Sequence, residues 1–167
     1  RGFSAGVMSI RTGSGCVTAV PDHGEEKVQK LAGRAGMAVG ALSLALFWWN
    51  AAPGVTFRDS GLFSLAAMTG GIPHPPGAPT YVILSSLFVR LAGWLEPAYA
   101  TNLFSGLCGA ATLGLLTRFA LLLQACVFPE VRDGARVAAA VTTPIVLLTS
   151  PAYFGQSIVT EQYTLLT

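Results

Sequence analysis

The chain is 167 residues long, 52% hydrophobic and only 11% charged, with a formal net charge of +2. A soluble domain carries about a quarter charged residues, so this composition does not provide a water-soluble globular surface. The small net charge, with no basic stripe interleaved with aromatics, argues against a nucleic-acid partner.

In chain order, residues 1–34 are polar and rich in Gly and Ser, with the charged stretch Asp22-His23-Gly24-Glu25-Glu26-Lys27. They read as a flexible, cytosolic leader. A signal peptide is a poor match, because the charged stretch separates the terminus from the first apolar run. The remainder, 35–167, reads as part of an all-α transmembrane domain.

About 20 apolar residues are needed to cross a bilayer, and three runs are long enough. The first, 35–57, is uncharged between Arg34 and Arg58 and predicts a span at about 35–52, with Trp48 and Trp49 at the interface. An external loop is expected over 53–98. The second run begins near Tyr99, is interrupted by Arg118, and predicts a span at about 99–122. The third, 137–160, is uncharged between Arg136 and Glu161 and predicts a span at about 137–152, with Pro144 tolerated inside it.

A fourth stretch, 80–95, is short and carries Arg90 and Trp94. It either crosses the membrane or lies flat as an interfacial helix. Laid flat, it puts Lys27, Lys30, Arg34, Arg118, Arg132 and Arg136 inside, and Arg58 and Arg90 outside. If it spans, that bias disappears, so the positive-inside rule selects the flat helix. Asp59, His74, Glu96 and Glu161 then share the external or lumenal side. The apolar run 119–128 beyond Arg118 sits awkwardly with this placement, because it draws that arginine deep.

Cys16, Cys108 and Cys126 have no metal-ligand spacing, and two of them lie in apolar runs, where cysteine behaves as a small hydrophobe. There is no phosphate-cradling glycine loop, zinc spacing or serine elbow. The glycines scattered through the apolar runs suit close helix packing. The chain opens on Arg1 and stops at Thr167 inside an apolar segment just begun, so it reads as an N-terminal piece of a longer polytopic protein.

The chemistry-bearing residues lie in the connections. An acid at the lip of a bilayer is a functional candidate, and Asp59 fits that description beside Arg58 and Ser60. It could serve as a general base or bind a cation; alternatively it caps a short helix over 61–68. His74 stands among Pro73, Pro75, Pro76 and Pro79, which fix the backbone. Such a loop could aim His74 at a phosphate, or be no more than a stiff connector. Glu161 starts the next apolar segment, where an acid faces a cavity or complements a helix dipole. Glu96, before Pro97, reads as a solvated surface acid.

Four segments occur in order: Thr56-Phe57-Arg58-Asp59-Ser60-Gly61-Leu62-Phe63, Ile72-Pro73-His74-Pro75-Pro76-Gly77-Ala78-Pro79, Pro97-Ala98-Tyr99-Ala100-Thr101-Asn102-Leu103, and residues 156–163 ending Thr160-Glu161-Gln162-Tyr163. Together they resemble the protein O-mannosyltransferase-like family of polytopic membrane proteins, within the GT-C glycosyltransferases. The resemblance covers about two thirds of the chain.

It implies a GT-C-type helical bundle. It also implies a transferase moving a sugar, mannose above all, from a polyprenyl- or dolichyl-phosphate to a hydroxyl of a protein or other acceptor. The implied setting is the bacterial inner membrane or the endoplasmic reticulum. Asp59 maps onto the family's catalytic acid in the first external loop, and Glu161 onto a second acid. Arg58, His74 and Arg90 are candidates for the lipid phosphate, and assistance by a divalent metal is left open. Two positions depart from the pattern. Leu62 stands where the family commonly has an acid, and Arg58 where an aromatic is frequent. The competing readings are a transporter or flippase, which would bury acids mid-span in repeated halves, and a non-catalytic scaffold.

Overall fold

The computed structural model describes residues 23–56, 59–73 and 78–160. Among the described residues six helices follow one another: α1 (His23–Asn50), α2 (Ser60–Thr69), α3 (Pro79–Leu91), α4 (Pro97–Val127), α5 (Asp133–Thr149) and α6 (Pro151–Ser157). The all-α class and the membrane character expected from the sequence hold. Glu26–Asn50 and Pro97–Val127 are long and apolar enough to cross a bilayer, and α5 with α6 makes a third such stretch, bent by 77°.

α1 begins at His23, inside the stretch read as a polar leader. Two causes extend it. Glu26 and Lys30 pair across one turn at 2.6 Å, and Ala32 is fully buried against Leu121 of α4 and Ala140 of α5. α1 ends at Asn50, short of the end of the apolar run, because the chain there meets Pro53 and Gly54. The Asn50 side chain donates back to the Leu46 carbonyl at 2.8 Å.

α1 and α4 lie side by side and antiparallel. Gly36 faces Gly114, Gly40 faces Ala110, and Phe47 faces Gly106 and Gly109. Small residues at this spacing let two backbones approach closely, and close packing is what holds helices together in lipid. At the end where α1 stops, the Trp48 indole donates to the Leu103 carbonyl at 3.1 Å, while Trp49 is 90% exposed.

The same pairing accounts for the apolar run beyond Arg118. α4 continues past that arginine as helix, and Leu121 is buried against Ala32 of α1 and Ala140 of α5. Arg118 itself is exposed. The α4–α5 turn is closed by Arg136. Its guanidinium donates to the Phe128 and Pro129 carbonyls at 3.0 and 2.6 Å, and to Asp133 at 3.1 Å. Phe128 is the residue that ends α4, and its carbonyl also accepts from the Val131 N–H at 3.2 Å.

The third apolar run breaks at a place the sequence reading does not single out. Pro144 stays inside α5 and is fully buried. The break comes at Ser150, which is extended (φ −74°, ψ 118°) before Pro151 at the first position of α6. A residue preceding proline is pushed out of the helical region, and the proline then starts a new helix readily.

α2 and α3 pack beside the first turns of α4. Phe63, Tyr81 and Phe104 form a buried aromatic cluster, with Tyr81 edge-on to both partners at 5.5 and 5.7 Å. The opposite side of α3 presents Ile83, Leu87, Leu91 and, past its end, Trp94, all more than half exposed.

Candidate functional site

The described parts of the segments singled out from sequence converge at one end of the α1–α4 pair. The centre is Asn102, in the second turn of α4 and only 1% exposed. Its amide nitrogen donates to the Ala52 carbonyl at 2.7 Å and the Gly54 carbonyl at 3.0 Å. Its amide oxygen accepts from the Thr160 backbone N–H at 2.7 Å and lies 2.5 Å from the Thr160 hydroxyl. Nitrogen against two carbonyls and oxygen against an N–H is the one amide orientation that satisfies all four contacts.

Thr101, also buried, adds α2. Its hydroxyl donates to the Ala98 carbonyl at 2.9 Å. It also lies 2.9 Å from the Ser64 hydroxyl and 2.7 Å from that of Thr160. A backbone bond from Ala52 N–H to the Ile158 carbonyl at 3.0 Å runs alongside. Four parts of the chain are therefore tied together by buried polar groups: the end of α1, α2, the start of α4 and the segment after α6. The side chains of Ser64, Thr101, Asn102 and Thr160 are buried, so each depends on its protein partner.

Asp59 occupies the position before α2 and is exposed, but its carboxylate makes no capping bond to the helix. The local turn is closed by Ser60 instead, whose buried hydroxyl accepts from the Thr56 N–H at 2.9 Å and donates to the Thr56 carbonyl at 2.8 Å. The capping alternative for Asp59 thus loses its hydrogen bond, while the helix it was to cap is present. Glu96 does act as a cap. It is exposed, and its carboxylate accepts from the Tyr99 N–H at 2.8 Å.

Arg90 is exposed in the last turn of α3, away from the Asn102 contacts. Arg58, His74 and Glu161 lie outside the described residues. Their described neighbours are anchored. Pro73 is buried, Ala78 packs against the aromatic cluster, and Thr160 is fully buried on Asn102. Among the described residues, no group of three or more His, Cys, Asp or Glu comes together as a metal site.

Residues 59–167 match the family model for the protein O-mannosyl-transferase TMEM260 N-terminal domain. The chain belongs to this family. Protein O-mannosyl-transferase TMEM260 of Mus musculus is 37% identical over 83 residues, which is 50% of this chain and 12% of that protein. The chain therefore matches only a small part of this curated relative's length. No solved structure matches. The family match begins at Asp59, yet the fold joins the matched part to what precedes it, through the α1–α4 glycine contacts and the bonds from Asn102 to Ala52 and Gly54.

Sequence reasoning quoted Thr101, Asn102 and Thr160 only within segments that carry the resemblance, and gave neither them nor Ser64 a role. One signal was available. Thr101 and Asn102 are adjacent polar residues at the start of an apolar run, where a polar side chain must find a partner. Which partner it finds is a matter of tertiary structure.

Proposed function

We propose that this chain supplies the N-terminal membrane unit of a glycosyltransferase that moves a sugar, mannose in the first instance, from a polyprenyl- or dolichyl-phosphate to a hydroxyl on a protein or glycan acceptor. Family membership supports the reaction class. The observation that carries the local reading is the double attachment of Asn102, to Ala52 and Gly54 on one side and to Thr160 on the other. It ties the chain leading to Asp59 and the chain leading to Glu161 to one helical turn.

Membrane geometry supports the same reading. α1 and α4 are antiparallel neighbours, so an even number of crossings separates them. α2 and α3, with 10 and 13 residues, are about 15 and 20 Å long against a hydrocarbon core of about 30 Å. Zero crossings between α1 and α4 is the physical solution, with both short helices on one face. The exposed stripe of Ile83, Leu87, Leu91 and Trp94 suits a helix lying in the interface. We place this face in the lumen of the endoplasmic reticulum or on the outer side of a bacterial inner membrane, in a multi-pass protein.

In this scheme the carrier phosphate rests at the interface. The acceptor hydroxyl oxygen attacks the anomeric carbon, the bond from that carbon to the phosphate oxygen breaks, and the lipid phosphate leaves with the electron pair. The Asp59 carboxylate takes the acceptor proton. Arg58, His74 and Arg90 are the candidate cations for the departing phosphate, and Glu161 is the candidate second acid.

The test is Asp59→Asn in the full-length protein, reconstituted with a polyprenyl-phosphate-linked sugar and an acceptor. Loss of a general base lowers turnover by about 10²–10⁴-fold, at unchanged protein level. Full activity in that variant removes Asp59 from the chemistry.

A further inference from the structure

The scheme above gives Asn102 no part in the chemistry, yet its side chain joins α4 to the segment after α1 and to the segment after α6. We propose that Asn102 is a positioning residue that sets the Asp59-bearing chain in register with the Glu161-bearing chain. This rests on the transferase reading of the site.

The valence of the amide is the core of the case. An asparagine has two donor hydrogens and two acceptor lone pairs. Here both donors go to Ala52 and Gly54, and both acceptor positions go to Thr160. The side chain is buried, so losing a partner leaves a buried polar atom of the amide short of a hydrogen bond. Sliding either limb by an ångström breaks two bonds at once. The amide thus works as a clip with one closed state.

The clip stands on a rigid base. Asn102 belongs to α4, which packs against α1 over much of its length and takes the Trp48 indole on the carbonyl of Leu103, the next residue. The limbs are short connections without regular structure of their own. Ala52 and Gly54 follow the end of α1, and Thr160 follows the end of α6. Connections of this kind wander unless they are pinned, and a transferring site tolerates only about half an ångström of wander. The Thr101 hydroxyl, 2.9 Å from that of Ser64, adds α2, the helix that Asp59 precedes, to the same turn.

Two measurements on the full-length protein test this. The first is kinetic, in proteoliposomes with a polyprenyl-phosphate sugar. Asn102→Ala is expected to lower kcat by something on the order of a hundredfold, with KM for the donor nearly unchanged, as for a misplaced catalytic group. Thr101→Val, which leaves Asn102 in place, gives a smaller fall of about tenfold, and Thr101→Ser restores activity. The second is geometric and needs no activity. Ala52 N–H bonds the Ile158 carbonyl at 3.0 Å, which puts cysteines at 52 and 158 within reach of a disulfide. In a cysteine-free background this pair should oxidise quickly with Asn102 and several-fold more slowly with Asn102→Ala.

An unchanged oxidation rate in Asn102→Ala overturns the clip. A raised KM with kcat intact overturns the positioning role, because Asn102 would then serve donor binding. If oxidation slows as expected while the unaltered protein transfers no sugar from the polyprenyl-phosphate donor, the clip stands and the transferase reading falls.

Discussion

A Cβ built on Gly114 falls 2.7 Å from the Gly36 carbonyl oxygen, and one built on Gly36 falls 2.7 Å from the Gly114 carbonyl oxygen. The two backbones are in direct contact, and neither position has room for a methyl group. This reciprocal contact fixes the antiparallel pairing of α1 and α4 that the rest of the fold is built on.

Gly114→Val should therefore separate α1 from α4. Overpacking costs about 1–3 kcal/mol, and the obstacle here is backbone, which cannot rotate away. Gly33, on the same helix as Gly36, meets nothing within 4 Å, so Gly33→Ala should be neutral or raise stability by up to about 1 kcal/mol through helix propensity. Thermal midpoints of the two variants in the same detergent check the contrast. A Gly114→Val protein as stable as the parent would contradict the close contact.

Phe47 is fully buried, with ring centroids 5.7 Å from Phe154 and 6.4 Å from Tyr153, and it lies over Gly106 and Gly109. Phe47→Ala opens a cavity between α1, α4 and α6, and is expected to cost about 3–5 kcal/mol. Phe47→Leu should recover much of that. Protease resistance of the membrane-embedded protein gives the ranking, and equal resistance of all three would show that α6 is not held by this ring.

Arg136 is expected to matter at the opposite end. Its guanidinium closes α4 by donating to two carbonyls, and its side chain is 8% exposed. Arg136→Met leaves those carbonyls without that donor. The loss is about 1.5–3 kcal/mol for each hydrogen bond to a charged group, partly regained as the turn relaxes towards water. Arg136→Lys keeps the charge but not the fork, and should fall between the two. Hydrogen exchange across 128–133 is the local readout. Unchanged protection there would leave Arg136 with no capping role.

Topology offers a prediction independent of activity. Single cysteines at Asp59, Glu96 and Glu161 in the full-length protein should be labelled from one side of the membrane by an impermeant thiol reagent. A cysteine at Asp133 should react only from the other side. Labelling of the Glu161 position together with Asp133 would separate the two candidate acids and remove the shared site.

Much of the architecture could be read from composition and periodicity. A chain so poor in charge must solvate itself in lipid, so the helical class and the approximate position of each apolar helix follow from physics that acts residue by residue. The exposure of Glu96 and the small-residue character of the helix contact are local in the same sense, whereas the capping bond of Glu96 was not foreseen. Family resemblance, carried by the motif around Asp59 and by the histidine loop, named a reaction class that spacing by itself left open.

Tertiary structure decided what depends on partners distant in sequence. α1 starts early because Ala32 finds Leu121, and the apolar stretch after Arg118 has its place because that same contact buries it. The third run bends at Ser150, not at Pro144, because Pro151 constrains the residue before it while Pro144 sits packed within α5. Above all, the polar pair Thr101 and Asn102 announces only that partners are required in an apolar setting. That Asn102 binds Thr160, 58 residues away, and Ala52, 50 residues away, is set by how α1 and α4 fit together, since a hydrogen bond depends on where two groups lie in space.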